Sequence, residues 1–155
     1  MSPDLRAQVL RYLETHNTLT LATVGPQGPW AAALFYVNDG LVLYWLSDPH
    51  ARHSQNLASC PQVAVAIHED YRDWQRIQGL QMEGTATPVG RPTDAEGPMR
   101  RYAAKYPFLG DWRAPPAALA RALEIVHVYR FVPARVLFID NTRGFGHREE
   151  LQPLA

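Results

Sequence analysis

Between residues 18 and 46 three apolar segments follow one another with only short polar turns between them, and this spacing constrains the fold more than any other feature. Thr18-Leu19-Thr20-Leu21-Ala22-Thr23-Val24 alternates with period two and is rich in β-branched residues, the pattern of a half-buried strand. Gly25-Pro26-Gln27-Gly28-Pro29 is a turn by composition. A second strand over 30–37 and a third over 41–46 are joined at Asn38-Asp39-Gly40, a connection of hairpin type, giving an expected three-strand meander. Strands joined this tightly run antiparallel, because a parallel neighbour needs a crossover of a dozen residues or more. Alternation blurs in the second and third strands, which predicts burial on both faces.

The rest of the chain adds strands with helices inserted between them. A short helix is expected over 3–15, with Ser2 as cap, Pro3 in the first turn, and Leu5, Val9, Tyr12 and Leu13 on one face. Asp48-Pro49 ends the third strand and starts a helix over 50–59, which Pro61 ends. A fourth strand covers 63–67. A fifth covers 77–89, where Gly79 and Gly84 predict bends or bulges. Thr93-Asp94-Ala95-Glu96 fits a capping box opening a helix to Tyr106, although Gly97 and Pro98 fall in its first turns. A loop over 107–116 with Phe108 and Trp112 leads to a helix over 117–124. Two last strands, 126–132 and 136–139, are expected to be joined by a turn at Pro133, and a polar, glycine-rich tail follows from Asn141.

Without regular strand-helix-strand alternation, an antiparallel barrel with peripheral helices fits better than a doubly wound sheet. The 155 residues suit one domain, with no internal repeat or linker. Fifteen basic and fifteen acidic residues cancel, so the chain lacks the positive field that nucleic acid or an anionic membrane attracts. Lys105 is the only lysine, so an anion site here is arginine-built. Cys60 is the only cysteine, which excludes a disulfide framework and a cysteine-rich zinc site. No apolar run reaches membrane-spanning length, and Met1-Ser2-Pro3-Asp4 has no leader pattern, so the expected location is cytoplasmic.

Three places could hold chemistry. Ser47 closes a strand just before a helix that begins with Arg52 and His53 nearby. Helix N-termini offer unpaired N–H groups and a positive dipole end, so these three residues form a pocket for one phosphate, or else Asp48 is merely a cap and Arg52 a solvated side chain. Trp30, Phe35, Tyr36, Tyr44 and Trp45 could wall a flat heterocycle or simply fill the core. Asp140-Asn141-Thr142-Arg143-Gly144-Phe145-Gly146 is either an Asx-type turn or a loop that lays Arg143 or Phe145 across a site. His50 and His53 have no third ligand at a metal-binding spacing, so no metal is expected. No Gly-x-Ser-x-Gly elbow, P-loop or Gly-x-Gly-x-x-Gly is present, Glu149-Glu150 reads as solvated, and no catalytic residue can be assigned.

Several segments follow in a set order: Thr18-Leu19-Thr20-Leu21-Ala22-Thr23, then Gly28-Pro29-Trp30, Asp39-Gly40-Leu41-Val42-Leu43-Tyr44, and Ser47 with basic residues five and six positions on. Asn56-Leu57-Ala58-Ser59-Cys60-Pro61-Gln62-Val63-Ala64 and Glu83-Gly84-Thr85-Ala86 come next. In this order and spacing the chain resembles the pyridoxamine 5′-phosphate oxidase-like, FMN-binding split-barrel superfamily. The Asp140–Gly146 ending resembles a small bacterial subfamily without assigned activity. The resemblance implies a mainly β fold with peripheral helices, a six- to seven-stranded antiparallel split β-barrel. It implies a homodimer with FMN at the interface, its phosphate on Ser47, Arg52 and His53. Its ring would lie along Ala32, Ala33, Leu34 and Phe35, with Gln81 approaching it, and Asn141, Arg143 and Phe145 could form a loop over the site, from this subunit or its partner.

The second basic position, commonly lysine, is His53 here. The Arg-Leu-x-Pro ending and the substrate-binding arginine and histidine of true pyridoxamine 5′-phosphate oxidases are absent. The expectation is therefore an FMN-dependent oxidoreductase acting on another small molecule, with a nicotinamide donor possible. The alternatives are a flavin carrier without catalysis, a split barrel that uses a deazaflavin or haem, and a structural dimer with an empty pocket.

Overall fold

The computed structural model describes residues 4–153. Its first element, helix α1 (Leu5–Thr15), buries Leu5, Val9, Tyr12 and Leu13, the face that the spacing predicts. The expected cap at Ser2 and Pro3 lies outside the described residues. The strands are β1 (Thr18–Gly25), β2 (Gly28–Phe35), β3 (Val37–Asp39), β4 (Val42–Ser47), β5 (Gln62–His68), β6 (Gln78–Gly90), β7 (His127–Asp140) and β8 (Arg148–Leu151). Helix α2 (Arg52–Ser59) lies between β4 and β5, while α3 (Glu96–Lys105) and α4 (Ala117–Ile125) lie between β6 and β7.

All pairings are antiparallel, in the order β2-β1-β5-β6-β7-β4-β3, with β8 added alongside β7. The two ends of this order, β2 and β3, are consecutive in the chain and separated only by Tyr36, so the sheet closes on itself. Counting β2 and β3 as one broken strand gives a barrel of six strands with β8 as a seventh. The fold is thus a split β-barrel with peripheral helices.

The break at Tyr36 corrects the expected meander: β2 pairs with β1, and β3 with β4. Tyr36 leaves the ladder because its N–H donates to Asn17 O (3.1 Å) and its hydroxyl to Leu13 O (2.7 Å). The Tyr106 hydroxyl sits against the Tyr36 carbonyl and 2.9 Å from Asn17 O. Lys105 Nζ donates to the Leu13 and His16 carbonyls (3.2 and 2.5 Å), and burial pushes its pKa down to about 8. These bonds tie α1, the strand break and α3 together.

Two cores result. Leu19, Leu21, Leu43, Trp45, Val65, Leu80 and Phe131 fill the barrel with the buried face of α1. Met99, Tyr102, Tyr106 and Val128 form a second core outside it, on which Tyr44, Leu46 and α4 pack. Hence β4 is covered on both faces, as its blurred pattern predicts. The outer face of β2 is exposed at Ala31, Ala33 and Phe35, so the same expectation fails there.

Three further expectations are corrected. The last two strands are one, because Pro133 lies within β7 opposite Gly84, at a register shift between Glu83 and Gly84. A bulge accepts a residue that has no N–H to give. A Cβ on Gly84 would come 2.2 Å from Val132 O, so glycine is needed at this crossing. The expected polar tail contains β8, which pairs with Val136, Leu137, Phe138 and Ile139 and buries Leu151. Finally, α3 starts at Glu96, because a 3₁₀ turn (Pro92–Asp94) precedes it and the Asp94 carboxylate accepts from Arg91 N (3.2 Å).

Candidate functional site

Ser47 follows Leu43 and Trp45 on the inward face of β4, at its last position, and is buried. The Asp48 carboxylate accepts from His50 N at 2.8 Å, and this bond holds its carboxyl below the usual range. The local turn delays the helix, so α2 begins at Arg52 and not at residue 50, and Asp48 does not cap it. Its N-cap is Ala51, which has no side-chain acceptor, and its first turn contains no acidic residue. The leading N–H groups of α2 therefore lack a side-chain partner, and its positive dipole end is uncompensated.

The residues of that first turn gather around Ser47. His53 Nε2 lies 2.8 Å from Ser47 Oγ. Burial lowers the His53 pKa below its ordinary 6.5 and so favours the neutral imidazole. Ser54, the third residue of the helix, has an enclosed hydroxyl with no hydrogen-bond partner. The Arg52 guanidinium lies 4.2 Å above the ring of Trp30 on β2. It has no ion pair or hydrogen bond among the described residues, and it is their one arginine that is not exposed. Below them, Asn56 Nδ2 donates to Thr23 Oγ1 (3.1 Å) and Leu57 enters the barrel core. This close approach requires Gly25, whose added Cβ would fall 2.0 Å from Asn56 Oδ1.

Ser47 and His53 are thus in contact, with Arg52 next to His53 in the same helical turn. Trp30 was expected only as an aromatic wall, and neither its contact with Arg52 nor the place of Ser54 beside Ser47 and His53 was legible in the sequence. Ser54 is signalled only by its place in the first turn of α2, and Trp30 only by a β2–α2 packing that sequence spacing does not encode.

The other expected residues lie elsewhere. Ala33 and Phe35 face outward from β2, whereas Ala32 and Leu34 are half-buried and Leu34 packs on the core. Ala33, Thr20, Ala66, Gln81 and Leu137 form one lateral row across β2, β1, β5, β6 and β7. Three strand spacings, about 14 Å, separate Ala33 from Gln81. Gln81 lines a groove of about 360 Å³ with Thr20, Ala64, Ala66 and Leu137.

The 141–146 loop follows the C-terminal end of β7, whereas Ser47 pairs with His127 at the N-terminal end of that strand. Within one chain the loop therefore lies at the opposite end of the barrel from Ser47 and His53. Asn141 fixes its shape, donating from Nδ2 to Trp74 O (2.8 Å) and accepting from Gly146 N (2.9 Å). Arg143 pairs with Glu149 at 3.3 Å, and Phe145 packs edge-on to Trp74 while staying 83% exposed. His50 turns to Asp48 and His53 to Ser47, so the two histidines do not converge. Among the described residues, no helix is long and apolar enough to cross a membrane.

Residues 5–139 match the profile of a family described as pyridoxamine 5′-phosphate oxidase. A UPF0306 protein of Klebsiella pneumoniae (strain 342) is 29% identical over 145 residues, which span 92% of this chain and 89% of the relative. Among solved structures, a heme binding protein from Mycobacterium smegmatis superposes with a TM-score of 0.73 at 20% identity, covering 99% of this chain and 60% of that one. HutZ, a heme storage protein of Vibrio cholerae, superposes with a TM-score of 0.64 at 20% identity, covering 83% and 89%. At such identity the structural likeness shows the fold alone.

Proposed function

The chain belongs to the pyridoxamine 5′-phosphate oxidase family, and on that premise we propose that it is a homodimeric, cytoplasmic FMN-binding oxidoreductase. The observation that carries this reading is Arg52, a half-buried guanidinium without an anionic partner, beside a helix N-terminus without a cap. Withholding a cation from water is costly unless a counter-charge meets it. A phosphate there would meet the Arg52 fork, the α2 amides and the Ser47 hydroxyl at once. Ser54 and His53 add polar groups, and His53 takes up a proton as the phosphate approaches.

When bound, FMN supplies the electron-transfer chemistry, and the protein supplies anchoring, orientation and exclusion of water. Ala33 and Phe35 on the exposed face of β2 would lie along the ring. The distance from Ala33 to Gln81 supports a site in which Gln81 and the 141–146 loop come from the partner subunit. The outer face of β1, β2, β5 and β6 favours such pairing, because its central positions are alanine, threonine and glutamine, small or uncharged side chains on a paired sheet. The substrate would be a small molecule, with a nicotinamide as electron donor.

Haem is the second reading, favoured by structural neighbours described as heme-binding and heme storage proteins. Parallel titrations of ligand-free protein with FMN and with haem decide between the two. The FMN reading predicts saturable FMN binding that inorganic phosphate competes away, followed by oxidation of NADH or NADPH. Saturable haem binding with no response to FMN would overturn it.

A further inference from the structure

We propose that Trp30 is a positioning residue which holds the Arg52 guanidinium ready for the phosphate, and so sets preference for a phosphorylated flavin over an unphosphorylated one. This rests on the phosphate site proposed above. A guanidinium is planar, with five N–H donors in its plane. Stacking on a ring occupies its face and leaves the donors at its edges free. The central carbon of Arg52 lies over the Trp30 ring, 4.2 Å from its centre, and no carboxylate or carbonyl among the described residues accepts from the guanidinium.

Several other arginines of the described residues have their donor edges engaged. Arg101 pairs with Asp39, Arg135 with Glu150, and Arg100 and Arg113 share Glu96, all on the exposed surface. Arg113 also lies over a ring, 4.9 Å from that of Trp112, but its guanidinium already has the Glu96 carboxylate as partner. Those contacts spend the donor edges, whereas the contact to Trp30 spares them. The backbone of Trp30 is fixed from below, since it pairs with Thr23, whose hydroxyl accepts from Asn56 of α2, while the ring itself stays 43% exposed. The strand that carries the ring is thus tied to the helix that carries Arg52. Without the ring, a long flexible side chain would have to be ordered at the moment of binding, and affinity would fall by that amount.

The experiment measures FMN and riboflavin affinities for wild type, Trp30→Leu, Trp30→Phe, Arg52→Ala and the Trp30→Leu/Arg52→Ala double variant. The expected result is about fivefold weaker FMN binding in Trp30→Leu with riboflavin unchanged. Trp30→Phe should restore most of the loss, and Trp30→Leu should cost nothing further in the Arg52→Ala background. Equal weakening of both flavins, or additive losses in the double variant, would overturn the positioning role. A silent Trp30→Leu beside a damaging Arg52→Ala removes Trp30 and leaves the phosphate site standing. Wild type that binds riboflavin as tightly as FMN, or Arg52→Ala that binds FMN like wild type, removes the phosphate site and the inference with it. Should Trp30→Leu fail to fold, Trp30→Met gives the same comparison.

Discussion

His53 is the residue beside Ser47 that titrates nearest neutral pH, and two consequences follow from its burial. In the unfolded chain it titrates near 6.5; in the folded protein it titrates lower. The unfolded chain therefore binds the proton first on acidification. Stability from this group is complete above about pH 6.5 and is lost as pH falls through the folded value. Thermal melts of His53→Asn against wild type should show a flatter acid limb for the variant. Phosphate acts the other way, because an incoming anion favours the imidazolium, so FMN affinity should weaken as pH rises. Titrations in two buffers of different protonation enthalpy would detect the proton taken up. At this scale the grouping of Ser47, Arg52 and His53 was legible because they are neighbours in the chain. Trp30 and Ser54 were not, since their meaning comes from a strand and a helix packed edge to face.

Among the elements, β8 shows where pattern reading ran out. Arg148-Glu149-Glu150-Leu151 has one apolar residue, too few for periodicity to register, yet that residue enters the barrel core. Leu151→Ala should lower stability by about 2–5 kcal/mol, read from urea unfolding, whereas Glu150→Ala on the exposed side should be close to neutral. The break at Tyr36 was equally hidden. It depends on acceptors at Leu13 and Asn17 and on the Tyr106 hydroxyl, seventy residues away. The bulge at Pro133 was read as a turn because proline usually punctuates, and only its partner Gly84 shows that the ladder continues through it. Gly84→Val, which drives a side chain into Val132 O, should cost about 1–3 kcal/mol or more in the same assay.

For the molecule as a whole, the strand succession made the antiparallel barrel readable from the sequence, because tight turns leave few alternatives. The assembly was not readable in the same way. A sheet face of small residues is a surface feature that emerges only once Ala33, Thr20, Ala66 and Gln81 are in register. If that face joins two copies and completes the flavin site, Ala66→Arg in its middle should give monomers by sedimentation and lose FMN binding, with the melting transition retained. A variant that stays dimeric and binds FMN would place the interface elsewhere.

The central claim, that the uncapped helix beside Ser47 and Arg52 holds a flavin phosphate, meets its most direct test in the visible absorption spectrum of the purified protein, with mass analysis of what heating releases. The account predicts a flavin spectrum, appearing at once or on addition of FMN, and FMN as the released mass. A Soret band with released haem, or a protein that stays colourless and does not retain added FMN, would contradict it.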